Sequence, residues 1–221
     1  MIFFITGTDT GVGKTYATAL LAGAFKALGK SVSTQKLVQT GATSPEDLEV
    51  HYRLAELGAP AQKFSCPYVF SYPAAPETAA ALENKEIDLR FLKKCVEELS
   101  RAFEVVLIEG VGGLYVPLTK DFTVLDFINL LMCPVFVVSA ARLGTINHTT
   151  LTINTLKQRG LFVAGLLYNW HFATDEFLAR KSLEDIKRLT GIEKVLPFPT
   201  IEEKIPEDLL ARAVRFLEGI F

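Results

Sequence analysis

The sequence predicts an α/β fold in which a doubly wound, mostly parallel sheet is flanked by helices in three layers. Three observations carry that expectation. Short apolar runs alternate with longer stretches of helical period, the pattern of parallel strands joined by crossover helices. Two runs, Val105 to Ile108 and Val135 to Val138, are apolar without a break, so both faces of their sheet must be covered. The first apolar run, Ile2 to Ile5, leads directly into a glycine-rich turn and then a helix.

Taken in order, the apolar runs predict strands over 2–6, 31–36, 104–109, 134–139, 162–168 and 195–198. Residues 16–28, rich in Ala and Leu, read as a helix stopped by Gly29. Leu89, Leu92, Cys95, Val96, Leu99 and Phe103 recur at three- and four-residue steps after a capping Asp88, which makes an amphipathic helix. Residues 146–159 end at Gly160 and residues 206–218 at Gly219, the glycine stop that a helix C-terminus favours. Residues 66–76 carry Pro67, Pro73 and Pro76, so this stretch is expected to be a long loop without regular pairing.

The chain has 221 residues, of which 49% are apolar, enough to bury one sizeable core, and residues 1–221 are read as a single domain. The formal charge is −2 with signs interspersed, so no basic stripe exists to neutralise a nucleic acid backbone. Cys66, Cys95 and Cys133 are odd in number and far apart, which excludes a disulfide framework or a zinc knuckle and leaves reduced packing residues. The N-terminal apolar run has no basic leader region, and no run reaches membrane-spanning length. A soluble, cytoplasmic protein with neither nucleic acid nor membrane as partner is the expectation.

Residues 5–15, Ile-Thr-Gly-Thr-Asp-Thr-Gly-Val-Gly-Lys-Thr, join the first strand to the first helix as a phosphate-binding loop. Glycines let backbone amides turn toward phosphate oxygens, Lys14 reaches the terminal phosphates, and the Thr15 hydroxyl suits Mg2+. Thr8 stands where the first glycine of G-x-x-x-x-G-K-[ST] belongs, with Gly7 just before it. The fold is therefore phosphate-loop NTPase-like, with a nucleoside triphosphate and Mg2+ as ligands.

Two further positions lie at strand ends. Glu109 closes the buried run from Val105 and precedes Gly110-Val111-Gly112-Gly113, where backbone can approach a ligand. A carboxylate there suits Mg2+, which prefers hard oxygen donors. Lys36 closes the second strand, ahead of Thr40-Gly41, on the side of an open sheet where ligands sit. It can bind a transferring phosphoryl group or an acidic substrate.

Gly-Thr-Asp-Thr-Gly-Val-Gly-Lys-Thr at 7–15, Lys36 with Thr40-Gly41, the 109–113 segment, and Arg-Leu-Gly-Thr-Ile-Asn-His at 142–148 together closely resemble the dethiobiotin synthetases over nearly the whole chain. The resemblance implies an ATP-dependent cyclo-ligase of biotin synthesis that joins CO2 to 7,8-diaminopelargonic acid and closes a cyclic urea through a carbamic phosphoric anhydride. It implies Lys36 and Lys14 as catalytic residues, and a metal shell of Thr15, Asp47 and Glu109, with Glu49 the competing carboxylate. Gly11, Val12, Gly13, Lys14, Thr15 and Tyr16 would hold the phosphates, with Asp47, Glu109, Gly110, Val111 and Gly112 opposite. Asn169, Pro199, Thr200 and Ile201 would hold adenine. Asp9, Lys36, Thr40 and Gly113 would meet the diamine, while Gly144, Thr145, Ile146 and Asn147 would receive its carboxylate across a homodimer interface. His51, His148 and His171 are read as surface or packing residues, apart from the place of His148 in the helix-opening motif.

Two other classes share parts of this pattern. A partition or delivery ATPase has the same fold, but its loop carries a lysine five residues before the catalytic one, where this chain has Asp9. An amidoligase-like domain of a cobalamin-type enzyme normally adds a glutaminase domain, and no Cys-His arrangement for one is found here.

Overall fold

The computed structural model describes residues 1–58 and 62–220. In chain order it contains β1 (Ile2–Gly7), α1 (Lys14–Ala27), β2 (Val32–Lys36), β3 (Gln39–Thr40), α2 (Glu46–Leu54), α3 (Gln62–Ser65), β4 (Val69–Phe70), α4 (Pro76–Leu82) and α5 (Leu89–Ala102). Then follow β5 (Val105–Glu109), β6 (Pro117–Thr119), β7 (Phe122–Thr123), α6 (Val124–Leu131), β8 (Val135–Ala140), α7 (Thr145–Gln158), β9 (Val163–Asn169), α8 (Glu176–Thr190), β10 (Val195–Phe198) and α9 (Glu207–Leu217). The main sheet has six strands in the order β10-β9-β8-β1-β5-β2, and every pair is parallel.

Both sheet faces are buried, as the unbroken apolar runs require. Phe3, Ile5, Val105, Leu107, Phe136 and Val138 point to one side, against Leu20, Leu21 and Phe25 of α1 and Leu209 and Leu217 of α9. Phe4, Val106, Ile108, Val135 and Val137 point to the other, against Leu92, Val96 and Leu99 of α5 and Ile153 and Leu156 of α7. The period-two alternation of strand side chains thus divides one core into two layers. Phe4 is fully buried, and its truncation to Ala costs about 3–5 kcal/mol at such a site.

The helix ends follow their sequence signals. The Asp88 side chain accepts from the Arg90 and Phe91 amides at 2.8 and 3.3 Å, and Gly29, Gly160 and Gly219 all take positive φ. One expectation is corrected. Residues 66–76 are not wholly irregular, because Val69 and Phe70 pair in parallel with Gln39 and Thr40. The prolines permit this: Pro67 and Pro73 lie outside the paired residues, and Pro76 begins α4, where a missing amide costs nothing.

Strand order and register position the site. β1 lies between β5 and β8, and β5 between β1 and β2, so the three C-terminal tips of β1, β5 and β2 stand side by side. Lys36 is the direct register partner of Glu109, and Ile5 is the partner of Glu109 on the other side. Ligands of open parallel sheets bind at such strand ends.

Candidate active site

The turn from β1 into α1 is shaped by glycine where a side chain would not fit. A Cβ at Gly7 would lie 2.9 Å from Lys14 Nζ and 2.8 Å from the Asp9 carbonyl oxygen. The residue that must be small in this turn is therefore Gly7, one position before the usual glycine. Gly13 caps α1 in the left-handed region at φ 96°, with no side chain capping the helix, so its first amides are left for an anion. Lys14 is buried and donates to the Asp9 carbonyl at 3.1 Å.

Opposite this turn stands a compact charged cluster. Lys36 Nζ lies 2.7 Å from Glu109 Oε1 and 2.5 Å from Asp47 Oδ2. The Thr15 hydroxyl donates to Glu109 Oε1 at 3.2 Å. His51 Nε2 lies 2.6 Å from Glu109 Oε2, and His51 Nδ1 lies 3.1 Å from Thr34 Oγ1. Lys36, His51 and Glu109 are each at most 5% exposed. A buried charge without partners would be prohibitive, so this cluster stands only because its members satisfy one another.

The charges set the protonation states. Burial pushes the Glu109 carboxyl upward, but the Lys36 charge and the His51 hydrogen bond reverse this and hold it far below the ordinary carboxylate range. Burial likewise opposes the Lys36 charge, yet Glu109 and Asp47 outweigh it and raise the Lys36 pKa. Burial, and then the Lys36 charge, lower Lys14 to about 8 against the opposing pull of Glu109, Asp47 and Asp9. Glu109 is an anion and Lys36 a cation throughout the neutral range.

A cleft of about 370 Å3 runs between the turn and the cluster, lined by Gly11, Gly13, Lys14, Thr15, Tyr16, Lys36, Thr40, Asp47, Glu109, Val111 and Gly112 among others. A second cavity, about 190 Å3, continues past Gly13 and Tyr16 to Asn169, Phe172, Phe198, Pro199, Thr200 and Ile201. The first carries charges of both signs, Lys14 and Lys36 with Asp47 and Glu109; the second has aromatic walls suited to a flat base. Val12 is buried, and its carbonyl accepts from the Asn169 amide at 3.0 Å, tying the tip of β9 to the loop. Gly110 and Gly113 pack backbone against β1 and the loop, since a Cβ at Gly110 would lie 2.7 Å from the Phe4 ring and one at Gly113 3.4 Å from the Gly7 carbonyl.

The family model described as an AAA domain matches residues 2–207. An ATP-dependent dethiobiotin synthetase of Chlorobaculum tepidum is 39% identical over 189 residues, covering 84% of this chain and 79% of its own. Another, from Halalkalibacterium halodurans, is 39% identical over 220 residues, covering 95% and 90%. The chain belongs to the dethiobiotin synthetase family. A solved structure of a protein described as a plasmid partition protein of Borrelia burgdorferi B31 superposes with a TM-score of 0.59 at 16% identity, covering 98% of this chain and 96% of that one. That likeness reaches the fold alone.

For a member of this family the remaining positions fall into three groups. Asp47, rather than Glu49, faces the cluster: Glu49 lies exposed on the same first turn of α2, whereas the Asp47 amide is anchored to Gln39 Oε1 at 3.3 Å. Asp9 is half exposed at the cleft edge, with its carboxylate 2.9 Å from Arg142 of the turn after β8. Gly144 to Asn147 do not enter this chain's phosphate cleft and line a separate groove with Leu143 and Leu151. Both polar groups of Thr145 are already engaged. Its amide donates to the Arg142 carbonyl at 3.0 Å, and its hydroxyl lies buried 2.9 Å from Ser139 Oγ. Thr145 holds the turn together.

Two histidines take more specific places than a surface or packing role. Of the two expected roles His51 takes the packing one, as a fully buried partner of Glu109. Its signal was the four-residue step from Asp47, which puts both side chains on one face of α2. His171 lines the adenine-sized cavity, with Nδ1 2.7 Å from the Thr200 hydroxyl.

Thr15, Asp47 and Glu109 offer one hydroxyl and two carboxylates, the hard donors that Mg2+ takes, and Lys36 already shows that the pair of carboxylates accepts a cation. Among the described residues no group of three or more His, Cys, Asp or Glu could hold a metal by itself.

Proposed function

We infer that this chain is an ATP-dependent dethiobiotin synthetase acting on 7,8-diaminopelargonic acid, CO2 and ATP. Family membership supports the activity, and one observation ties it to this chain: Lys36 and Glu109, register partners on β2 and β5, stand opposite the Gly7–Thr15 loop. One amine of the diamine adds to CO2 and loses a proton, giving a carbamate. A carbamate oxygen bonds to the γ-phosphorus as the bond to ADP breaks. The second amine then attacks the carbonyl carbon and gives up a proton, and phosphate leaves with its bonding electron pair as the urea ring closes.

The chain's own groups fit these steps. Carbamate and triphosphate are both anions and repel each other, so the Lys14 and Lys36 ammonium groups gather them and stabilise the transferring phosphoryl charge. Gly11 to Tyr16 hold the phosphates, and Gly110 to Gly113 bring backbone to the opposite wall. Asn169, Pro199, Thr200 and Ile201 hold adenine. Mg2+, held by Thr15, Asp47 and Glu109, supplies charge neutralisation at the phosphates. Asp9, Thr40 and Gly113 flank the diamine, and the turn from Gly144 to Asn147 of a second copy receives its carboxylate, which makes the working unit a homodimer. Residues 1–221 act as one cytoplasmic domain, a reading supported by three free, buried cysteines and by the absence, among the described residues, of a helix long and apolar enough to cross a membrane.

The test is incubation with Mg-ATP and 13C-bicarbonate, with and without the diamine, followed by mass spectrometry. A cyclic urea carrying the label, with one phosphate released per urea, is the expected result. Phosphate release that ignores the diamine and yields no urea would overturn the reading in favour of a switch ATPase.

A further inference from the structure

Glu109 is the most constrained side chain in the cleft, and its two oxygens have different duties. Oε1 faces the cleft, meeting Lys36 at 2.7 Å and Thr15 at 3.2 Å. Oε2 faces inward and meets His51 Nε2 at 2.6 Å. Because an ionised carboxylate only accepts, Nε2 carries the hydrogen and donates it. The ring is in turn fixed from behind, with Nδ1 3.1 Å from Thr34 Oγ1 on β2, and it is wholly buried. Asp47 lies one turn earlier on α2, so a single helix supplies a carboxylate to the cleft and the group that steadies the other carboxylate.

We propose that His51 is a positioning residue that locks the Glu109 carboxylate, pinning Oε2 so that Oε1 is presented to the cation bound beside Thr15. A terminal carboxylate torsion is broad and roughly two-fold, so Glu109 without His51 would rotate, and its inner oxygen would be left buried and unpaired. Groups standing behind a metal ligand in this way commonly alter metal affinity 10- to 100-fold. The proposal rests on the reading of Glu109 as a cation ligand.

The experiment measures Mn2+ affinity by electron paramagnetic resonance in the presence of ADP, a readout that needs no turnover. His51→Leu is expected to weaken Mn2+ binding by roughly 10-fold or more. His51→Gln, whose amide can still donate to Oε2, is expected to stay within about threefold of the unmodified protein. In a Glu109→Gln background, His51→Leu should add no further loss, because its effect passes through that carboxylate. Should His51→Leu fail to fold, Thr34→Val removes the support behind the ring and is expected to weaken Mn2+ binding severalfold. Unchanged affinity in the folded variant, or an equal loss in both backgrounds, would overturn the proposal. Failure of the synthetase reading is seen separately, as absence of labelled urea from the unmodified protein.

Discussion

Two turns of this molecule share one backbone device and differ in everything around it. Gly13 and Gly144 both lie in the left-handed region, at φ 96° and 90°, and both open a helix of 14 residues with no capping side chain. They follow neighbouring paired strands, β1 and β8. Each opens a helix whose first turn has amides without an intrahelical partner, the raw material of an anion site, although at Gly144 the Thr145 amide is taken by the Arg142 carbonyl. At Gly13 the adjacent strand tips add Lys36 and Glu109, and α2 adds Asp47. At Gly144 the neighbours are a buried hydroxyl cluster of Ser139, Thr145 and Thr149, and a fully exposed Leu143. The difference teaches that two helix N-termini of the same backbone form are set apart by the charges that neighbouring strands bring to them, which is why the triphosphate is proposed at Gly13.

The strongest way to break the comparison is to remove the added charge. Lys36→Ala should lower the rate of urea formation by roughly 10^3-fold or more, since it deletes the buried cation proposed to meet the transferring phosphoryl group. Asn147→Ala at the second turn should instead raise KM for the diamine about 10-fold, as expected for one lost polar contact to a carboxylate. Steady-state kinetics separate the two, and equal effects on kcat would erase the distinction.

The next effect concerns the glycines themselves. A Cβ at Gly13 would lie 2.3 Å from the Asn169 amide nitrogen, whereas at Gly144 the nearest atom would be His148 Cε1 at 3.9 Å. Gly144→Ala should cost only the left-handed strain, about 1–2 kcal/mol. Gly13→Ala should cost more and abolish nucleotide binding, because it also displaces Asn169 from Val12 and the base cavity. Calorimetric titration with ADP and thermal unfolding of both variants check this.

A smaller effect is expected from the hydroxyl cluster. Thr149 donates to Ser139 Oγ at 2.8 Å in a fully buried setting. Thr149→Val should destabilise the fold by about 1–3 kcal/mol through the unpaired partner it leaves, with ADP affinity unchanged. The smallest effect is a null one. Burial pushes the Cys66 and Cys133 thiols up to about 12, although the Lys36 charge pulls the first of them down. Neither should react with a thiol reagent at pH 8 in the native protein. The sign for stability follows: above about pH 8.5 the unfolded chain loses thiol protons that the folded chain keeps, so these residues make stability fall as pH rises.

Much of this was legible in the sequence, and the reasons are specific. The six main strands were legible because buried parallel strands are apolar throughout, Lys36 and Glu109 because they sit where such runs stop, and Lys14 and Thr15 because a glycine-rich loop leads into them. The pairing of Lys36 with Glu109 was not, since it depends on β5 lying between β1 and β2, which no local pattern encodes. The contact of His51 with Glu109 was not legible, because a lone histidine on a short polar helix reads as a surface or packing residue with no partner specified. Only the tertiary position of α2 against β2 buries it. Val69 and Phe70 were missed because prolines near a strand outweigh a two-residue apolar signal, and the short β6–β7 hairpin is likewise too brief to show a period.

The most direct test of the contrast between the two turns is the structure of the protein with Mg2+, a non-hydrolysable ATP analogue and the diamine. The account predicts the triphosphate over Gly13 to Thr15, the base between Asn169 and Ile201, and Lys36 drawn from between Asp47 and Glu109 toward the γ-phosphate. A triphosphate seated at the Gly144 turn, or Lys36 still held between the two carboxylates with the nucleotide bound, would contradict it.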